Sequence, residues 1–145
     1  MALPVLVTVV ALALLAASCG GSSTPSIHDA YVIAPAGDTA TMYFTIDNPT
    51  AEPVSLVSVS TPITGEVEMQ TITESGGLMS MTQLPEIDVE ARSKVSLDPS
   101  GTHVMLMNVG TLKQGDCVPT TFRFNDGQTV SVSVPVTSGA VPGGS

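Results

Sequence analysis

From Ile27 onward the apolar residues of this chain recur in steps of two, and Pro, Gly, Asn and Asp interrupt them every few positions. Such spacing builds half-buried strands and cannot lay an apolar stripe along a helix. Val130, Val132, Val134 and Val136 alternate with Thr129, Ser131, Ser133 and Pro135, and Phe122 and Phe124 precede Asn125-Asp126-Gly127. The Asp-Gly pair predicts a hairpin joining these two strands. Further strands are expected at Ala30–Ile33, Thr39–Asp47, Pro53–Ser60, Glu66–Ile72, Ile87–Ser96 and His103–Val109, separated by turns such as Asn48-Pro49-Thr50 and Asp98-Pro99-Ser100-Gly101. The pattern predicts an all-β, immunoglobulin-like Greek-key β-sandwich over residues 27–137. With no Trp, two Tyr and three Phe, its core must be filled by Val, Ile, Leu and Met.

The N-terminal stretch points to export. Residues 1–18 carry no charge and are almost wholly apolar from Leu3 to Ala17. That suits a signal-peptide core and falls short of the roughly 20 residues a spanning helix needs. Leu15-Ala16-Ala17-Ser18-Cys19 resembles a bacterial lipobox, which would make Cys19 the acylated first residue of the mature protein. Residues 19–26, rich in Gly, Ser and Thr, read as a flexible tether, and residues 138–145 as a flexible tail. The expected location is the extracytoplasmic face of the cell membrane, in the periplasm or at the cell surface.

Asp and Glu outnumber Lys and Arg thirteen to four. Nucleic acid is thereby excluded as a partner, since phosphate binding needs a basic footprint. An anionic bilayer would not attract the domain either, so membrane attachment must come from the lipid. With Cys19 acylated, Cys117 is alone and no internal disulfide forms. Cys117, at the start of a predicted strand, reads as a small buried residue.

Methionine and histidine are unevenly placed. In His103-Val104-Met105-Leu106-Met107, period two puts His103, Met105 and Met107 on one face and leaves Val104 and Leu106 for the core. Met79 and Met81 share a side in the same way, and Gly76-Gly77 permits a sharp loop that returns this segment towards the His103 strand. Thioether sulfur is soft and has no proton to lose, so with one imidazole it suits Cu(I) rather than Mg²⁺, Ca²⁺ or Zn²⁺. Met42 is assigned to the core and His28 to the surface.

At these residues the chain resembles the PCuAC family of periplasmic copper chaperones. Their motif is His or Met, ten residues, Met, twenty-one residues, then His-x-Met. Met81 is followed by twenty-one residues and then His103-Val104-Met105, and the flanking Ile87–Ala91, Val95–Gly101 and Lys113–Asp116 also match. At the first position Glu66-Val67-Glu68 leads to Met69, eleven residues from Met81, whereas strict spacing selects Gln70. Met69 is the expected ligand, an extra glycine in Gly76-Gly77 absorbing the offset. The resemblance implies a cupredoxin-like sandwich binding Cu(I) through Met69, Met81, His103 and Met105; Met79 and Met107, sharing faces with these residues by period two, are candidate accessory donors. It further implies a copper-acceptor partner, such as the copper centre of cytochrome c oxidase or one of its assembly factors.

Other classes fit less well. A metal-free binding or structural lipoprotein is the alternative reading. A blue-copper site needs two His and a Cys in an order this chain lacks. No G-x-S-x-G, phosphate loop or dinucleotide fingerprint is present, so no enzyme is expected.

Overall fold

A computed structural model describes residues 24–34 and 37–138. The signal segment 1–18, Cys19, most of the tether and nearly all of the tail lie outside the described residues. Ten strands follow one another: β1 (Ser26–Ile33), β2 (Ala40–Asn48), β3 (Val54–Ser60), β4 (Glu66–Ser75), β5 (Leu78–Gln83), β6 (Ile87–Val89), β7 (Ser93–Ser96), β8 (His103–Met107), β9 (Cys117–Phe124) and β10 (Thr129–Thr137).

The hydrogen-bonded order β5-β4-β8-β2-β1-β10-β9-β3-β6 folds on itself into two layers. The first runs from β5 to β1 and the second from β10 to β6. A short parallel pairing, Val32 with Val136 and Ile33 with Thr137, joins them. Phe44 of β2 and Phe122 of β9 meet edge-on across the interior, ring centroids 4.8 Å apart. Around them Met42, Ile46, Leu56, Leu106, Val118 and Val134 are fully buried, which is how the domain builds a core with few aromatics.

The expected hairpin forms, with Val130 opposite Phe122 and Gly127 at a positive φ of 89° in the turn. The single strand expected over Ile87–Ser96 is in fact two. Arg92 takes a φ of 56° and its N–H donates to the Thr50 carbonyl, so β6 pairs with β3 in one layer and β7 with β2 in the other. Buried Asn48 stitches this crossing, its Nδ2 lying 3.2 Å from the Val89 carbonyl and 3.0 Å from that of Glu90. Cys117, expected to be buried, is exposed at the first position of β9, because the alternation there turns Val118 and Thr120 inward instead.

The segment that matters most lies between β7 and β8. Both strands pair with the same edge of β2, Thr45 with Ser96 and then Met42 with Val104. Residues 97–102 therefore loop out of the sheet beside Tyr43. The loop is tied down by the Leu97 N–H to the Phe44 carbonyl and by Asp98, whose carboxylate accepts from the Ser100 hydroxyl at 2.6 Å and the Ser100 N–H at 2.9 Å.

Candidate metal centre

The register of β4 against β8 decides which residues can meet. Glu66 stands opposite Met107, Glu68 opposite Met105, Met69 opposite Val104 and Gln70 opposite His103. Since successive side chains alternate between faces, His103, Met105 and Met107 share the outer face with Glu66, Glu68 and Gln70. Val104 and Leu106 point the other way and are fully buried.

Met69 goes with them. It is only 7% exposed and belongs to the hydrophobic core, so the expected ligand stands on the wrong side of the sheet. The ordinary pleat gives the outer face to Gln70, the strictly spaced position.

Glycines 76 and 77, with φ of 61° and 83°, close a hairpin whose two strands place Ile72 opposite Met81 and Glu74 opposite Met79. Both methionines thus lie on the same face as Gln70 and His103. The hairpin returns along the far edge of β4 rather than along β8, so β4 separates Met81 from His103. At about 4.8 Å per strand the two are about 10 Å apart laterally, and one two-residue step, about 7 Å, apart along the strands. Every residue of β5 is exposed; Met79 is 68% and Met81 61% accessible.

His103 behaves differently. Although its side chain is on the outer face, it is only 3% exposed. One residue beyond the Met42–Val104 pair stand Tyr43 and His103, so the imidazole sits in a row between Tyr43 on β2 and Gln70 on β4. Its Nδ1 lies 3.2 Å from the Gly101 carbonyl, in the loop just described. A carbonyl can only accept, so Nδ1 carries the proton and donates, leaving the lone pair on Nε2. That Nε2 is buried and has no hydrogen-bond partner among the described residues. A buried nitrogen with a free lone pair is costly to leave unmatched, and a soft cation is a fitting partner. Two residues on, the Met105 sulfur receives the Thr41 hydroxyl at 3.8 Å.

The surrounding polar groups frame these donors. Gln70 Nε2 donates to Glu68 at 2.8 Å. Burial first, then the tyrosine partner and the Asp98 charge, push the Tyr43 phenol up; Tyr31 is raised by burial and Asp98. Asp98 itself is held below the ordinary carboxylate range, chiefly by the Ser100 hydroxyl and N–H. Among the described residues no three His, Cys, Asp or Glu side chains cluster as a metal site, and the soft donors on this face are thioethers and one imidazole. His28 is on the surface, its Nε2 accompanied by the Ser26 hydroxyl at 2.8 Å and Asp47 at 4.0 Å.

Sequence reading alone did not single out Glu68, Tyr43 or Thr41, whose roles depend on register across neighbouring strands. The strict motif spacing did contain the signal for Gln70.

A two-layer sandwich with a His/Met face beside a looped-out β7–β8 connection defines a PCuAC-like domain. A copper-bound PCuAC domain from PmoF2 has this fold, with a TM-score of 0.65 at 20% identity over 79% of this chain and 92% of that one. The Cu(I)-bound solution structure of DR1885 from Deinococcus radiodurans gives 0.64 at 28% identity, covering 86% of this chain and 84% of that one. Its apo form is 30% identical with a TM-score of 0.55, over 81% and 77%. The chain belongs to the LpqE-like family, described as "Putative lipoprotein LpqE-like", whose model matches residues 25–136. It is also 35% identical over 68 residues to "Putative lipoprotein Lxx21020" of Leifsonia xyli subsp. xyli. That match covers 46% of this chain, which spans 41% of the length of that curated relative.

Proposed function

We propose that this protein binds Cu(I) outside the cytoplasmic membrane and passes it to an acceptor protein. The observation that carries the reading is the unpartnered, buried Nε2 of His103, aimed by the Gly101 carbonyl, with Met105 two residues on along the same face of β8. These two donors are fixed by the sheet. Met81 is the third, an exposed thioether on the hairpin that closes over metal already held by the other two. Met79 and Met107, on the same face, serve as accessory donors during entry and release. Met69, expected from the sequence as a ligand, is left out of the set because of its place in the core.

Two sulfurs and one nitrogen form a soft, uncharged set that favours Cu(I) over Cu(II) and over hard divalent ions. Two observations support transfer rather than storage. Met81 is largely exposed, and a thioether is a weak donor that an incoming ligand can displace stepwise. The copper-loaded PCuAC relatives support the cargo, and the family description supports anchoring through Cys19. A copper centre of cytochrome c oxidase, or one of its assembly factors, is the acceptor we favour.

Titration of the purified mature chain against a colorimetric Cu(I) chelator, followed by X-ray absorption of the loaded protein, tests this. One Cu(I) per chain with both nitrogen and sulfur donors is expected. Equal binding by wild type and His103→Ala, or no binding, would leave a metal-free lipoprotein domain as the better account.

A further inference from the structure

The donor face carries a charge pattern that the donors themselves do not require. Glu66 and Glu68 flank Met107 and Met105 on the neighbouring strand, and Glu74 stands opposite Met79 at the hairpin tip. Three carboxylates thus stand directly beside the thioethers. All four cations of the chain are elsewhere: Arg92 in the β6–β7 turn, Lys113 before β9, Arg123 on the second layer, and Lys94 on β7. Lys94 is opposite Asp47, whose carboxylate lies 3.8 Å from its Nζ, and this pair is about 20 Å along β2 from Thr41 at about 3.3 Å per residue.

Within this acidic frame lies the most exposed apolar surface of the described residues, Leu78 at 76%, Met79 and Met81. Its strand, β5, ends the sheet with one unpaired edge and carries no charged side chain. Natural proteins usually blunt such edges with charge or proline, so one left bare invites a partner.

We infer that the β4–β5 hairpin is the docking surface for a metal-accepting protein whose own site is rimmed by lysine and arginine. The apolar hairpin tip supplies contact, and Glu66, Glu68 and Glu74 steer the approach by opposite charge. A second copy of this chain is disfavoured as occupant because it would bring the same carboxylates together. An anionic membrane surface is disfavoured for the same reason. The inference rests on the copper-carrier reading for its cargo, but the docking itself does not need metal.

Two synthetic peptides with one identical dithiol Cu(I) site, flanked in one case by lysines and in the other by glutamates, serve as probes. With the Cu(I)-loaded full chain, the lysine peptide should take up copper at least about tenfold faster at low salt. The advantage should vanish as the Debye length falls from about 30 Å to about 3 Å between 0.01 and 1 M salt. The combined variant Glu66→Gln, Glu68→Gln, Glu74→Gln should lose it, whereas Glu90→Gln with Asp116→Asn and Asp126→Asn should keep it. In parallel, NMR shift mapping of the metal-free chain with the lysine peptide should move resonances of β4 and β5. Equal rates for the two peptides, shifts confined to another face, self-association through β5, or binding of the apo chain to anionic vesicles would each overturn the docking surface. Failure to bind Cu(I) with the NMR mapping intact would instead overturn only the copper reading.

Discussion

Gln70 and His103 face each other across β4 and β8, in register on the outer side of the sheet. The PCuAC motif has His or Met at the position of Gln70, and a carboxamide is a poor donor to Cu(I). The glutamine is instead engaged with Glu68. Gln70→His should therefore add a second imidazole directly across from the first. An increase in Cu(I) affinity of about tenfold or more, about 1.4 kcal/mol, is expected, together with newly measurable Cu(II) binding. Competition titrations with each oxidation state provide the check; unchanged affinity would mean that the two side chains do not converge on one ion.

Met69 provides the complementary test, because its neighbour in sequence is its opposite in orientation. Met69→Ala removes a core side chain and should cost about 2–5 kcal/mol of folding stability. Among folded molecules Cu(I) affinity should stay as in the wild type. Urea unfolding and chelator competition on the same preparation separate the two quantities. A variant that folds as stably as the wild type but loses copper would restore Met69 to the ligand set.

These two residues also mark how far the sequence could be read. Strands, hairpin and core were legible because Val130 to Val136 and Val104 with Leu106 alternate without interruption, and alternation is a local property. The shared face of His103, Met105 and Met107 followed from the same rule. The choice between Met69 and Gln70 was different. It depends on how β4 is registered against β8, a long-range pairing that a one-residue slip would invert completely. Met is chemically the better ligand, whereas the strict motif spacing selects Gln70, the residue on the outer face. The splitting of Ile87–Ser96 was hidden for a related reason: the apolar alternation continues through a turn at which the chain changes layers.

The proposed donors should respond differently to removal according to how exposed they are. His103→Ala or Met105→Ala takes away a proposed donor held on β8, and a loss of Cu(I) affinity of about a hundredfold or more, about 2.7 kcal/mol, is expected. Met81→Ala removes the exposed arm and should act mainly by speeding release, with a smaller loss of about tenfold. Stopped-flow transfer to a chelator, alongside equilibrium competition, distinguishes the two. If Met81→Ala matched His103→Ala in both rate and affinity, the distinction between frame and arm would be wrong.

Asp98 touches no donor, yet it organises the loop whose Gly101 carbonyl aims the imidazole. Its carboxylate accepts from Ser100 through both hydroxyl and amide, and these bonds hold it below the ordinary carboxylate range. A carboxylate depressed in the folded state stabilises that state above its unfolded value, about 3.9, and the contribution disappears as pH falls through the lower folded value. The wild type should therefore be more stable than Asp98→Ala near neutrality, and the two should converge in acid below the ordinary carboxylate range. In copper binding the variant keeps every proposed donor but loses two of the bonds that steady the loop behind Nδ1–H, so Nε2 is held less firmly. Loss of such outer support weakens metal sites by about 10–100-fold, and the lower end is expected here because the Gly101 carbonyl itself remains. Denaturation across an acid series and Cu(I) competition near neutral pH test both halves. A stability difference that persists unchanged into strong acid would assign the effect to the loop backbone rather than to the Asp98 charge, and full copper affinity would remove the loop from the site's support.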